Sequence, residues 1–85
     1  MNNTKTSKEL LHTYCKSQNH QFRIMLLTKE DGSPMVSKYN PDAPYIAFCY
    51  VDRPPLTYGY GHGATPEKAE EAAAANYIES AELLF

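Results

Sequence analysis

The chain has 85 residues, of which 42% are hydrophobic, enough for one domain with a small core and too few for two. Eight Lys and Arg stand against ten Asp and Glu, a net charge of −2 at pH 7. Modules that bind nucleic acid usually have a basic face, so this balance argues against strong nucleic-acid binding. The sequence has no long apolar run and no basic segment leading into an apolar one, so it predicts neither a membrane span nor a signal peptide.

The charge is divided unevenly along the chain. Residues 1–29 contain five Lys or Arg and one Glu, a net +4, whereas residues 30–85 contain three Lys or Arg and nine Asp or Glu, a net −6. The basic N-terminal third indicates either an ordinary solvated helix face or a weak electrostatic footprint for a polyanion. Both interpretations stay open at this point.

Hydrophobic spacing predicts a helix over residues 7–18, followed by extended runs at about 21–28, 44–52 and 55–61. A second helix is predicted to begin near residue 65. The order is helix, three strands, helix, which indicates an α+β fold.

The start of the second helix is the most specific local signal. Gly61 and Gly63 surround a tight exit from the last strand, and Thr65-Pro66-Glu67 supplies an N-cap hydroxyl, a proline at the first helical position and a carboxylate in the first turn. A run of alanines then predicts a helix that approaches the sheet closely: Ala69, Ala72, Ala73, Ala74 and Ala75.

The first six residues are polar, so we expect residues 1–6 to form a flexible tail and residues 7–85 a single domain. Cys15 lies on the apolar face of the first helix and Cys49 lies within a strand. This placement suits buried thiols in a reducing compartment, so a cytoplasmic or nuclear location is expected.

In its last third the chain resembles the double-stranded RNA-binding domain (dsRBD) family. The end of strand 3 and helix 2 of that family usually read Gly-x-Gly-x-Ser, then Lys-Lys-x-Ala-Lys and an alanine run. Residues 61–75 match this frame, and Leu11-His12-Thr13-Tyr14 fits helix 1. The resemblance covers residues 6–84 and implies an α-β-β-β-α fold, with a three-stranded antiparallel sheet and two helices on one face. Tyr77 replaces a usual alanine, so helix 2 is expected to lie farther from the sheet or to rotate.

The resemblance also shows where the usual RNA contacts are missing. The three lysines of helix 2 correspond to Pro66, Glu67 and Glu70, which removes attraction for phosphates and adds repulsion. The strand 1 to strand 2 loop, usually Gly-Pro-x-His, corresponds to Asn40-Pro41-Asp42-Ala43-Pro44. The helix 1 glutamate that often contacts ribose hydroxyls corresponds to Thr13, which can still form one hydrogen bond. RNA binding therefore cannot be inherited from the fold.

A second surface is suggested by the strands. A sheet with helices on one face normally alternates apolar and polar residues, yet Tyr45 to Val51 is a run of seven apolar or aromatic residues. The family frame places Ile46, Phe48 and Tyr50 toward the helices. It leaves the other parity on the open face of the sheet: Tyr45, Ala47, Cys49 and Val51. Because the run is apolar at both parities, a register shift would not make the open face polar.

The neighbouring strands extend this apolar surface. In the first strand, Met25 and Leu27 are predicted to face outward beside Arg23, while the inward set is Phe22, Ile24 and Leu26. In the third, Leu56, Tyr58 and Tyr60 share one side of a predicted edge strand, a site where another strand or chain can pair. Seven tyrosines in the chain supply anchors of the kind enriched in interfaces.

Two hypotheses follow. The preferred one is a non-catalytic domain that acts through protein contacts, as a homodimer or as a docking site in an RNA-associated assembly. Its interface residues are predicted to be Met25, Leu27, Tyr45, Cys49, Val51, Leu56, Tyr58 and Tyr60. The alternative is weak, shape-based binding to double-stranded RNA through helix 1 and the start of helix 2: Lys8, Thr13, Lys16 and Lys68.

Catalysis and metal binding are not expected. His12 and Cys15 lie one helical turn apart, but the sequence has no Cys-x-x-Cys or His-x-x-x-His spacing. Gly61-His62-Gly63 lacks the glycine spacing and the lysine of a phosphate-binding loop. We therefore predict no enzyme activity, no metal, no cofactor and no small-molecule substrate.

Overall fold

The computed structural model describes residues 6–83 and confirms the predicted order of elements. The helices are α1 (Ser7–Gln18) and α2 (Pro66–Ser80), and the strands are β1 (Phe22–Leu26), β2 (Tyr45–Val51) and β3 (Tyr58–Gly63). Within the described residues, neither helix has the length and hydropathy needed to cross a bilayer.

Both ends of α1 are capped. The Thr6 hydroxyl accepts a hydrogen bond from the backbone N–H of Glu9 at 3.1 Å, and the Glu9 carboxylate accepts one from the backbone N–H of Thr6 at 2.8 Å, which is a capping box. Asn19, in a left-handed conformation (φ 59°), ends the helix. Thr6, which the sequence assigned to the tail, is thus the N-cap of α1. The rest of that predicted tail, residues 1–5, lies outside the described residues.

The sheet is antiparallel with the strand order β1-β2-β3, so β3 is an edge strand as expected. Every second residue of β3 is a glycine that faces α2. A Cβ atom at Gly61 would lie 2.4 Å from backbone atoms of Ala72 and Ala73, and one at Gly63 would lie 2.3 Å from the backbone nitrogen of Ala69. The helix backbone therefore lies directly on the strand.

Tyr77 does not hold α2 away from the sheet, contrary to expectation. Its side chain is fully buried, and its hydroxyl donates a hydrogen bond to the backbone carbonyl of Leu56 at 2.9 Å. A Cβ atom at Gly59 would lie 2.9 Å from the backbone nitrogen of Tyr77. The ring fits because the strand beneath it is glycine and the loop before β3 accepts its hydroxyl.

The core lies between the sheet and the helices, and it corrects the predicted facing of β2. Ala47, Cys49 and Val51 are fully buried against the helices, and Tyr45 packs against the same core. The reason is the close approach of α2 to β3: beside Gly59 and Gly61, the β2 residues on this side are Cys49 and Ala47, whose side chains are small. The facing of β1 was predicted correctly, since its inward set packs on the core: Phe22, Ile24 and Leu26.

Candidate interaction surfaces

The open face of the sheet carries three cross-strand rows of side chains. Register places Arg23 opposite Tyr50 and Tyr50 opposite Tyr58 in the first row, and Met25 opposite Phe48 and Phe48 opposite Tyr60 in the second. The third row pairs Ile46 with His62. We call these residues the open face: Arg23, Met25, Ile46, Phe48, Tyr50, Tyr58, Tyr60 and His62.

The open face is apolar, aromatic and solvent-accessible. Met25 is 48% exposed, Tyr50 49%, Tyr58 58% and Tyr60 52%. The rings of Tyr60 and His62 meet edge to face, with centroids 6.2 Å apart. As the structure bounds them, the three strands contain no Asp or Glu, so the single full charge on this face is Arg23. Exposed aromatic residues next to each other, without carboxylates, are typical of a protein-contact surface.

The structure places some of the predicted interface residues on this face and excludes others. Met25, Tyr58 and Tyr60 lie on it. Cys49 and Val51 are buried in the core, so their placement on the open face was wrong.

Three further predicted interface residues lie beside the face or beneath it. Tyr45 and Leu56 pack against the core, which corrects their predicted outward facing. Leu27 follows β1, is partly buried, and donates its backbone N–H to the carbonyl of Ile46 at 2.8 Å.

Sequence reasoning missed four open-face residues, and the β3 glycines could have identified all of them. Because Gly59 and Gly61 face α2, their partners Cys49 and Ala47 must face it too. The opposite parity of β2 then faces outward, which gives Ile46, Phe48 and Tyr50. His62 follows from the same alternation in β3.

On the opposite side of the molecule, the acidic residues of α2 hold α1. The Lys8 ammonium lies 3.0 Å from the carboxylate of Glu70, which occupies one of the family's lysine positions. The Glu71 carboxylate accepts hydrogen bonds from the backbone N–H groups of Ser7 and, at 3.1 Å, of Lys8. Glu71 thus satisfies two donors at the N-terminus of α1, where the helix dipole favours negative charge.

The cleft between the first turns of the two helices has mixed charge. Its lining includes two cations, Lys8 and Lys68, and three carboxylates, Glu9, Glu67 and Glu71. A phosphate approaching Lys68 would meet the carboxylates as well. Among the predicted RNA contacts, Thr13 and Lys16 are exposed on α1, outside this cleft.

The segment between β1 and β2 occupies the position of the family's minor-groove loop. Isolated antiparallel bridges join Thr28 to Pro34 and Val36 to Tyr45. Hydrogen bonds from the Ser33 hydroxyl and backbone N–H lower the pKa of the exposed Asp31 carboxyl. Tyr39 is 95% exposed at its tip. The loop therefore exposes the Asp31 carboxylate and the Tyr39 ring to solvent.

The two cysteines have no features of a reactive or metal-binding site. Both thiols are free and buried, and burial raises the pKa of Cys15 and raises that of Cys49 to about 12. A thiol with so high a pKa is a poor nucleophile and a poor ligand at neutral pH. Across residues 6–83, no three His, Cys, Asp or Glu side chains converge as a metal site would require.

The order of elements, the antiparallel sheet and the two helices define the dsRBD fold. The solved structures agree: the chain is similar to one in the crystal structure of the Miranda/Staufen dsRBD5 complex, with a TM-score of 0.69 and 16% sequence identity. The similarity covers 94% of this chain and 100% of that one. No family model and no curated protein matches the sequence. The chain thus shares this fold at low sequence identity.

Proposed function

We propose that this chain is a non-catalytic dsRBD-like domain that acts mainly through protein contacts at its open face. It serves as a homodimer or as a docking module within an RNA-associated assembly, such as one of RNA silencing or processing. Usual double-stranded RNA binding is lost or weak. The observation that carries this proposal is the open face itself, where exposed tyrosine and methionine side chains surround the partly buried Phe48 without a carboxylate.

The similar solved structure supports a protein-contact role, because it contains a dsRBD in complex with Miranda. The helix side supports the loss of RNA affinity. Phosphate neutralisation supplies most of the affinity for duplex RNA, and here one candidate lysine, Lys8, is already paired with Glu70. The net −6 of residues 30–85 acts in the same direction.

The dimensions of the open face limit the affinity. Three strands about 4.8 Å apart and some five residues long give a footprint of roughly 15 Å by 17 Å. Stable complexes bury about 800 Å² per partner, so a contact confined to this face is smaller than that. We therefore expect micromolar or weaker association unless neighbouring residues join the contact, and the tests below need protein concentrations up to about 1 mM.

Charged substitutions on the open face test the proposal. Met25→Glu and Tyr58→Glu should each weaken self-association or partner binding at least tenfold, because a carboxylate would be desolvated in an aromatic contact. Tyr39→Glu is the matched control, since it makes the same change at a tyrosine 95% exposed on the loop. Sedimentation equilibrium and ¹⁵N spectra at 0.05 and 1 mM would measure the effect. Equal association of all three variants and the wild type would refute the open face as the contact site.

The alternative function, weak binding to duplex RNA, is favoured by one observation: Thr13 and Lys16 are exposed on α1 within the basic N-terminal third. It predicts binding with steep salt dependence and little sequence preference. Lys16→Glu should then abolish shifts on a duplex of about 20 base pairs, whereas Arg23→Glu, the same charge change on the open face, should not. Identical RNA titrations for the two variants would eliminate this alternative.

A further inference from the structure

The free edge of β3 is a second surface where another chain could pair, and its backbone groups can be assigned. The backbone N–H of Val51 donates to the carbonyl of Thr57 at 2.8 Å. In an antiparallel ladder, hydrogen-bonded pairs alternate with non-hydrogen-bonded pairs. Because Thr57 is hydrogen-bonded to β2, Gly59 and Gly61 are hydrogen-bonded to β2 as well. The intervening residues of β3, Tyr58, Tyr60 and His62, therefore direct their N–H and C=O groups away from β2.

A side chain from α2 occupies the middle of that edge. The backbone N–H of Tyr60 donates a hydrogen bond to the Asn76 side-chain carbonyl, Oδ1, at 3.1 Å. The glycines make this reach possible: a Cβ atom at Gly59 would lie 3.0 Å from the same oxygen. Asn76 thus occupies the central N–H donor of the β3 edge, between the outward-directed backbone groups of Tyr58 and His62.

We propose that Asn76 closes the β3 edge against strand addition by a second copy of this chain and so directs association to the open face. An added strand would need the Tyr60 N–H as a donor. A carbonyl of that strand would have to displace the Asn76 side-chain carbonyl, so one hydrogen bond would replace another with no gain in free energy. The displaced side chain would also lie where the new strand must run. Natural sheets protect their edges by comparable means. This inference rests on the proposed function, since it states which of two surfaces performs it.

Substitution of Asn76 tests the inference directly. Asn76→Ala removes the acceptor and, because alanine is the stronger helix former, leaves α2 intact. The Tyr60 amide should then exchange with solvent at least tenfold faster. At 1 mM the variant should also self-associate, with concentration-dependent ¹⁵N shifts at residues 58, 60 and 62. Asn76→Asp is the matched control, because it keeps an acceptor for the Tyr60 N–H and should not pair at this edge.

Two outcomes in Asn76→Ala would overturn the inference: an unchanged Tyr60 exchange rate, or faster exchange without any edge association at 1 mM. Wild-type association mapped to the β3 edge amides would overturn it as well. Met25→Glu in the Asn76→Ala background separates it from the proposed function. Edge pairing should survive that change on the opposite strand, whereas failure of the proposed function appears as wild-type association that Met25→Glu does not reduce.

Discussion

Glu71 on α2 accepts a hydrogen bond from the backbone N–H of Lys8 on α1 at 3.1 Å, and so joins the two helices at their N-terminal ends. The position follows one where the dsRBD family usually has a lysine directed at phosphate. In this chain the Glu71 carboxylate therefore has a structural use: it satisfies backbone donors at the N-terminus of α1.

Removal of this carboxylate should destabilise the fold. Glu71→Ala leaves the N–H groups of Ser7 and Lys8 without their acceptor in a partly buried site, so we expect the free energy of unfolding to fall by about 1–3 kcal/mol. Urea denaturation at pH 7 would measure it. Glu79→Ala, an exposed glutamate at the other end of α2, is the control and should stay within about 0.5 kcal/mol of wild type.

The Lys8–Glu70 ion pair should contribute little. Both side chains are partly exposed, 40% and 27%, so a double-mutant cycle with Lys8→Ala and Glu70→Ala should give a coupling energy of about 0.5 kcal/mol, smaller at 1 M NaCl. A coupling above about 2 kcal/mol would mean that the pair is desolvated, contrary to its exposure.

Substitution by alanine should destabilise the fold more at Gly61 than at Gly32. Gly61→Ala puts a Cβ atom 2.4 Å from the α2 backbone, which cannot move without separating helix from sheet, so a loss of at least about 2 kcal/mol is expected. Gly32 has nothing within 4 Å and a φ of +88°, so Gly32→Ala should cost about 1 kcal/mol through backbone strain alone. Thermal unfolding of both variants checks the order; equal losses would contradict the close approach of α2.

The buried Cys49 thiol should make the fold sensitive to alkali. Its pKa is about 12 in the folded state, against 9.0 for an unperturbed thiol, so the unfolded chain loses the proton first. Stability from this group is complete below pH 9 and falls as pH rises toward 12, with a loss of about 2 kcal/mol by pH 10.5. The Cys49→Ala variant should lose less stability over this pH range. Because burial also raises the pKa of Cys15 and Tyr77, part of the loss of stability should remain in the variant. Unfolding curves at pH 8 and 10.5 measure both; parallel losses in variant and wild type would contradict the assignment to Cys49.

The sequence predicted the elements well because the signals were local. Thr65 and Pro66 mark the start of α2, and α1 has the predicted bounds. The facing of β2 could not be read from β2, since Tyr45 to Val51 is apolar at both parities. It is decided by a tertiary contact: α2 lies on the β3 glycines, so the β2 partners of Gly59 and Gly61, which are Cys49 and Ala47, also face the helix.

The same limit applied to the charged residues. The acidic substitutions in α2 were predicted to weaken RNA binding, but the partners of Glu70 and Glu71 lie on α1, more than 60 residues earlier in the chain. The hydrogen bond from Tyr60 to Asn76 was likewise invisible, because an isolated asparagine on a helix has many possible partners. Spatial neighbours of this kind have no sequence spacing to identify them.

Positions in β3 that tolerate no side chain alternate with positions whose side chains are exposed. Gly59, Gly61 and Gly63 have no room for side chains, whereas the side chains of Tyr58, Tyr60 and His62 are exposed on the open face. A library randomised at residues 58, 60 and 62 should therefore fold in most of its members, while one randomised at residues 59, 61 and 63 should seldom fold. Three positions of this strand can thus change without any rebuilding of the interior of the domain.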